Sequence, residues 1–263
     1  MAGNNKRQIS KSSTVYIAIG VLLIAVMTII GTSAFMRTTG FIVEGASLYT
    51  AEDVVEASGI SVGDNLLFVN AQNASQSIRD TLPFVNVVRI TRKLPDTIHI
   101  EITESIAAAY VFFAGEYYIT DSSGRVLERI SGREDSSSIV KIENLIEVRG
   151  VEIEETAVGR NLRPVFGTET KLQYMQDVLI ALEREGLLDD VSYLDVSNIV
   201  NVHFGFLGKF RVVLPGSANL RPSNLRHTAS VLTEHVEKIE ASHPNTPGRI
   251  IIHEDGPAVF EVD

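Results

Sequence analysis

Residues Pro83–Glu104 read PFVNVVRITRKLPDTIHIEITE, and this stretch decides the fold of the first half of the chain. Phe84 to Arg92 is rich in β-branched residues, Lys93-Leu94-Pro95-Asp96 has the composition of a turn, and Thr97 to Thr103 alternates strictly. Ile98, Ile100 and Ile102 point one way, and His99, Glu101 and Thr103 the other. A strand pair with one apolar face needs cover, and the residues before it supply two helices. Thr50-Ala51-Glu52-Asp53 fits the capping-box pattern and Gly59 stands at a C-cap position. Ala71, Ala74, Ile78 and Leu82 recur at helical spacing until Pro83 stops the run. Phe41-Ile42-Val43 adds a short strand in front. The order strand, helix, helix, strand, strand places two helices on one face of a three-stranded sheet.

Ahead of this unit, Val15 to Phe35 is a run of 21 residues without a charge. At about 1.5 Å per residue it extends roughly 30 Å, the thickness of a bilayer's hydrocarbon core, so it reads as a transmembrane helix. Lys6, Arg7 and Lys11 precede the run with no acidic residue, and Arg37 follows it. The positive-inside bias puts residues 1–14 in the cytoplasm as a short tail and the rest outside. A cleaved signal peptide is the rival reading, with Thr32, Ser33 and Ala34 as small cleavage-site residues. The apolar core is longer than such signals use, which favours a retained anchor.

The chain carries a net charge of -10, and its first 37 residues hold four cations and no anions, leaving about -14 on the remainder. Such a surface repels phosphate backbones and excludes nucleic-acid binding as the expected role. Cysteine is absent, so stability must come from packed cores and thiol chemistry is ruled out.

Residues 105–263 read as a larger, β-rich α+β domain. Ala107 to Phe113 and Glu116 to Thr120 form a hairpin, and Asp121-Ser122-Ser123-Gly124 turns the chain into Arg125 to Glu128. Ile139 to Ile142 and Val148 to Ile153 read as further strands, and Thr168 to Glu185 as a helix with Leu172, Met175, Leu179 and Leu182 on one face. Three more strands follow at Tyr193 to Val196, Val200 to Phe206 and Phe210 to Leu214. Leu225, Ala229, Leu232, Val236 and Ile239 then mark a second helix, read as a face packed on a sheet rather than a coiled-coil seam. Gly248 to His253, an Asp255-Gly256 turn and Ala258 to Val262 close the chain as an apolar hairpin. The last strand has nothing after it to cover it and is a candidate open sheet edge, able to take a partner strand.

FIVEGASLYTAEDVVEASGISVGDNLLFVN followed by PFVNVVRITRKLPDTIHIEITE resembles the POTRA domain of the bacterial division proteins FtsQ/DivIB. The resemblance lies in the Val-x-Gly turn at Val43 to Gly45, the helix ending in Ser58-Gly59-Ile60, the Gly63-x-Asn65-Leu66 segment and the Arg-x-x-Pro-x-Thr hairpin at Arg92 to Thr97. AAYVFFAGEYYITDSSGRVLE extends it, more loosely, beyond residue 104. The resemblance implies a POTRA domain over 38–104, an FtsQ/DivIB-type β domain over 105–263, and a single-pass membrane scaffold at the division septum. It further implies that the C-terminal β region receives small coiled-coil division proteins of the FtsB/DivIC and FtsL type. On the terminal hairpin, Ile250, Ile252, Val259, Phe260 and Val262 are then the expected contact residues. The alternative within this architecture is a POTRA-type chaperone or secretion component that guides chains by strand addition.

An enzyme finds little support. There is no Gly-x-Ser-x-Gly, no phosphate-binding Gly-x-x-x-x-Gly-Lys and no penicillin-binding motif set. Glu152, Glu154 and Glu155 read as a solvated acidic face rather than a glycosidase pair. None of the six histidines (His99, His203, His227, His235, His243, His253) forms His-x-x-x-His. A zinc site is therefore not expected, nor any other cofactor or small-molecule substrate.

Overall fold

The computed structural model describes residues 11–131, 140, 142–214, 232, 234, 236–239, 241–242, 244, 246–252 and 258–262. The chain divides into two compact units. One is made of residues up to Thr81 together with Val85–Glu104, and the other of Leu82–Phe84 with everything from Ser105 onward.

The first unit begins with α1 (Lys11–Phe35), which contains the uncharged run. Its described large apolar side chains, among them Tyr16, Leu22, Ile24 and Met27, are exposed. Among the described residues no helix is long and apolar enough to cross a membrane; the side chains of α1 are described at 15–28 and 31. The βααββ order follows as β1 (Gly40–Glu44), α2 (Ala51–Ser58), α3 (Ala71–Thr81), β2 (Val85–Lys93) and β3 (Thr97–Glu104). The three strands pair in the order β1-β3-β2, with β1 parallel and β2 antiparallel to the central β3.

Local chemistry explains each boundary. Thr50 and Asp53 exchange side-chain and backbone hydrogen bonds as a complete capping box, which starts α2, and Gly59 ends it in the left-handed conformation. Val54, Ala57, Ala74 and Ile78 from the helices and Ile98, Ile100 and Ile102 from β3 are buried. Each of the larger side chains contributes about 1.5–3 kcal/mol when fully removed from water. The turn after β1 depends on Gly45, whose φ is +85° and whose absent Cβ would stand 2.0 Å from the Ile102 carbonyl oxygen. Glu104 closes the same corner, accepting from the backbone N–H of Ser47 at 3.0 Å and of Leu48 at 3.0 Å, and from the Ser47 hydroxyl. Partial burial pushes the Glu104 carboxyl up, but these hydrogen bonds prevail and hold it below its ordinary value.

The second unit contributes β4 (Ala109–Phe113), β5 (Glu116–Thr120), β6 (Val126–Ile130), β7 (Ile146–Arg149), β8 (Ile153–Glu154), β9 (Arg163–Pro164), α4 (Glu169–Arg184), β10 (Val191–Asp195), β11 (His203–Phe206), β12 (Phe210–Val213), β13 (Gly248–Ile251) and β14 (Val259–Val262). Except for the small β8-β9 pair they form one nine-stranded sheet, ordered β14-β13-β12-β11-β10-β7-β4-β5-β6. Its core gathers Met175, Val178, Leu179 and Leu182 of α4 with Phe204, Phe206, Val212 and Ile250 of the strands and with Leu232, Val236 and Ile239. A smaller cluster of Tyr110, Ile119, Ile130, Ile142 and Leu145 lies apart from it. The turn after β5 is organised by buried Asp121, whose Oδ1 accepts from the backbone N–H of Ser123 and Arg125, both at 3.0 Å. Gln176 of α4 donates to the Ser123 carbonyl at 2.7 Å and docks the helix on that turn.

Three expectations need correction. Ile142 heads a single 3-10 turn, Ile142–Asn144, instead of ending a strand, while Ile139 lies outside the described residues. The next strand starts at Ile146 and stops at Arg149, with Ile153 in a separate pair. Residues 200–202 are not strand, because Asn198 folds them into a turn: its Oδ1 accepts from Val200 N–H at 3.0 Å and its carbonyl from Asn201 N–H at 2.9 Å. Leu225, Ala229, His253 and the Asp255-Gly256 turn lie outside the described residues.

Candidate functional site

Among the described residues β14 is an outermost strand of the large sheet. It pairs antiparallel with β13 in the register Gly248↔Val262, Arg249↔Glu261, Ile250↔Phe260 and Ile251↔Val259. Alternation puts Phe260 and Val262 on the core face and Val259 and Glu261 on the other. Ile250 is fully buried, and Ile252, just past β13, is also buried and donates its N–H to the Val213 carbonyl at 3.0 Å. Phe260 is half-buried and meets Phe210 edge to face at 6.0 Å. Its ring lies over Gly248, where a Cβ would stand 2.6 Å from the Phe260 ring and 2.5 Å from the Glu261 carbonyl oxygen. Glycine at that position lets the terminal strand come close. Val259 and Val262 are exposed, and Glu261 lies 3.9 Å from Arg249.

The five residues expected from sequence therefore divide by role. Ile250 and Ile252 anchor β13 in the core, whereas Val259, Phe260 and Val262 offer apolar surface on the outer strand.

The exposed face of the sheet, opposite α4, carries a row of polar and aromatic groups that the sequence did not announce. Arg149 stacks over the Tyr193 ring at 4.5 Å, His203 meets that ring edge to face at 5.9 Å, and Arg211 stands 2.8 Å from His203 Nε2. Within this row Asp195 is partly buried, which raises its pKa, but hydrogen bonds from Ser197 and the nearby His203 and Arg149 outweigh burial and keep it low. The cation–π contact is worth about 0.5–1 kcal/mol at such an exposed site. These residues lie on β7, β10, β11 and β12, so only the register brings them together.

A cavity of about 700 Å³ opens beside Glu143, Asp189, Asp190, Ser192 and Leu207. Among the described residues its lining holds carboxylates but no imidazole, lysine or arginine.

In the first unit, Glu44, His99 and Glu101 each present one ligand-type atom within 4.8 Å of the others. A search for ligands at helical spacing overlooks this group. His99-x-Glu101 on an alternating strand already places two of them on one face, and the parallel pairing of β1 with β3 supplies Glu44.

Residues 37–105 match the family model described as "POTRA domain, FtsQ-type". The chain is 24% identical to Cell division protein DivIB of Clostridium tetani over 156 residues, which cover 59% of this chain and 55% of that relative. It is 28% identical to DivIB of Clostridium acetobutylicum over 123 residues, 46% of this chain and 45% of the relative. With Cell division protein FtsQ of Corynebacterium glutamicum it shares 28% identity over 161 residues, 56% of this chain and 72% of the relative. The chain spans about half the length of the DivIB relatives it matches.

Proposed function

We propose that this chain, which carries an FtsQ-type POTRA domain and is similar to DivIB and FtsQ division proteins, is a protein of the FtsQ/DivIB type that serves bacterial cell division as a non-enzymatic scaffold and captures small companion proteins on its terminal sheet edge. The observation that carries the reading is the position of β14 at the end of a nine-stranded sheet with Val259 and Val262 exposed. An added strand would pair with the backbone of β14, while alternate side chains would meet Val259 on one face and Val262 with the edge of Phe260 on the other. Affinity comes from the main-chain ladder and specificity from those side chains. The companions this family relationship suggests are coiled-coil proteins of the FtsB/DivIC and FtsL type.

The scaffold is held at the membrane by α1. A 25-residue helix whose residues from Val15 to Phe35 carry no charge, and whose described large apolar side chains are exposed, supports that anchor. The three cations ahead of the run, against one just after it, support a cytoplasmic N-terminus with both folded units on the far side.

Capture of a purified FtsB/DivIC-type companion by the full chain tests the reading. Val259→Glu, which alters an exposed side chain, is expected to weaken capture at least tenfold without loss of folding. Capture undiminished in that variant would place the site elsewhere. Depletion in the cell should give unseparated filaments, whereas normal septa with envelope defects would favour a chaperone of the secretion type.

A further inference from the structure

β1 and β3 run parallel with Ile42 opposite His99 and Glu44 opposite Glu101. Alternation puts these four side chains on one face of the three-stranded sheet, the face away from Ile98, Ile100 and Ile102. His99 is nonetheless only 6% exposed. Its Nε2 lies 3.2 Å from Glu44 Oε1, and its Nδ1 lies 3.4 Å from Glu101 Oε1. From β2, Thr91 stands opposite His99 and Arg89 opposite Glu101, with the Arg89 guanidinium 3.7 Å from the Glu101 carboxylate.

The Nε2 atom is buried and has no hydrogen-bond partner among the described residues. The Glu44 oxygen is near enough to accept one but stands out of line. A ring nitrogen and a carboxylate oxygen in that relation suit two ligands of one ion. Bonds of about 2.0–2.2 Å meeting at roughly 100–110° separate the two ligand atoms by roughly 3.1–3.5 Å. Imidazole as a ligand selects ions of the zinc group over magnesium or calcium, which prefer oxygen alone.

We infer that His99 Nε2 and Glu44 form a site for a divalent transition-metal ion of the zinc class. Glu101 is the positioning residue: its carboxylate, 3.4 Å from Nδ1, favours a proton there and so the tautomer that leaves Nε2 free to bind the metal. Arg89 offsets part of the Glu101 charge and keeps that carboxylate from competing for the ion. The Glu44 side chain is 62% exposed, so its carboxylate meets an ion from the solvent side. Its ligands come from two different strands, so a bound ion ties β1 to β3 and stabilises the folded unit by mass action. The site is independent of the strand-capturing edge.

The test uses the full, untagged chain in detergent, with Zn²⁺ uptake measured by isothermal titration calorimetry, Co²⁺ by its visible absorption bands, and thermal unfolding with and without Zn²⁺. The expected result is one ion per chain and a rise in the unfolding midpoint on adding Zn²⁺. His99→Gln and Glu44→Gln should each weaken binding at least tenfold and abolish that rise. Because Glu44 is exposed, Glu44→Gln keeps the fold and decides the matter even if His99→Gln does not fold. In the Zn²⁺-bound chain the imidazole ¹⁵N shifts should report a protonated Nδ1, and Glu101→Gln should weaken that signature along with affinity. His203→Gln should leave uptake unchanged. Absence of saturable uptake, uptake unaltered in Glu44→Gln, or uptake lost in His203→Gln would each overturn the site.

Discussion

Replacing Gly45 by alanine is expected to be among the most damaging single-methyl changes in the first unit. Two effects add. The φ of +85° lies in the region that L-residues avoid at a cost of about 1–2 kcal/mol. The new Cβ would also stand 2.0 Å from the Ile102 carbonyl oxygen and 3.1 Å from its carbon, so the β1 exit must move away from β3 by about an ångström. Overpacking of this kind costs about 1–3 kcal/mol, and the displacement also strains the hydrogen bonds from Ser47 and Leu48 to Glu104. The total is roughly 2–5 kcal/mol. At about 4–8 °C per kcal/mol for a unit of this size, its melting transition should fall by roughly 8–40 °C. Gly40→Ala is the control, since Gly40 begins β1 with nothing within 4 Å of the place a Cβ would take and no positive φ; it should shift stability by less than about 0.5 kcal/mol. Differential scanning calorimetry of both variants reads the result. If Gly45→Ala melts with wild type, the close approach of β1 to β3 described above is wrong.

Thr50→Ala removes the capping box and should cost about 0.5–2 kcal/mol by urea denaturation, since Asp53 alone cannot replace both bonds. Ile250→Ala should cost about 2–5 kcal/mol because the side chain is fully buried, whereas Val259→Ala at the exposed edge should fall within about 0.5 kcal/mol. Asp177 is raised above its ordinary value by burial on α4, so its charged form is disfavoured in the folded chain. Asp177→Asn should therefore stabilise the protein at neutral pH. That gain should shrink as pH falls through the raised folded value toward 3.8, and vanish below it, where the wild-type carboxyl is protonated in both states; melting curves across pH check the sign.

What the sequence discloses and what it hides follow from the range of the interactions. Thr50–Asp53, Gly59 and the alternation of Ile98, Ile100 and Ile102 are local, and each is found where local chemistry places it. The POTRA resemblance is equally legible, because its turns follow one another in a set order along a short segment and the family model spans 37–105. Strand order in the second unit is another matter. β7 lies between β4 and β10 and is parallel to both, an arrangement made by long crossovers that no hairpin signal records. The same distance hid Glu44 from His99 and Arg149 from His203, since those neighbours are set by register. At the terminal edge, composition identified an apolar hairpin but could not say that Ile250 and Ile252 face inward; the pairing of Ile250 with Phe260 decides it.

The proposed role in division rests on β14 as the strand that receives a partner. Amide hydrogen exchange of the full chain, with and without a purified FtsB/DivIC-type companion, tests it most directly, because strand addition must give added protection to backbone N–H groups of the strand that receives the partner. The expected result is slowed exchange within Val259–Val262 on adding the companion, with little change at the buried amides of β12. Binding that leaves Val259–Val262 exchanging as in the free chain, with protection confined to other strands, would contradict it.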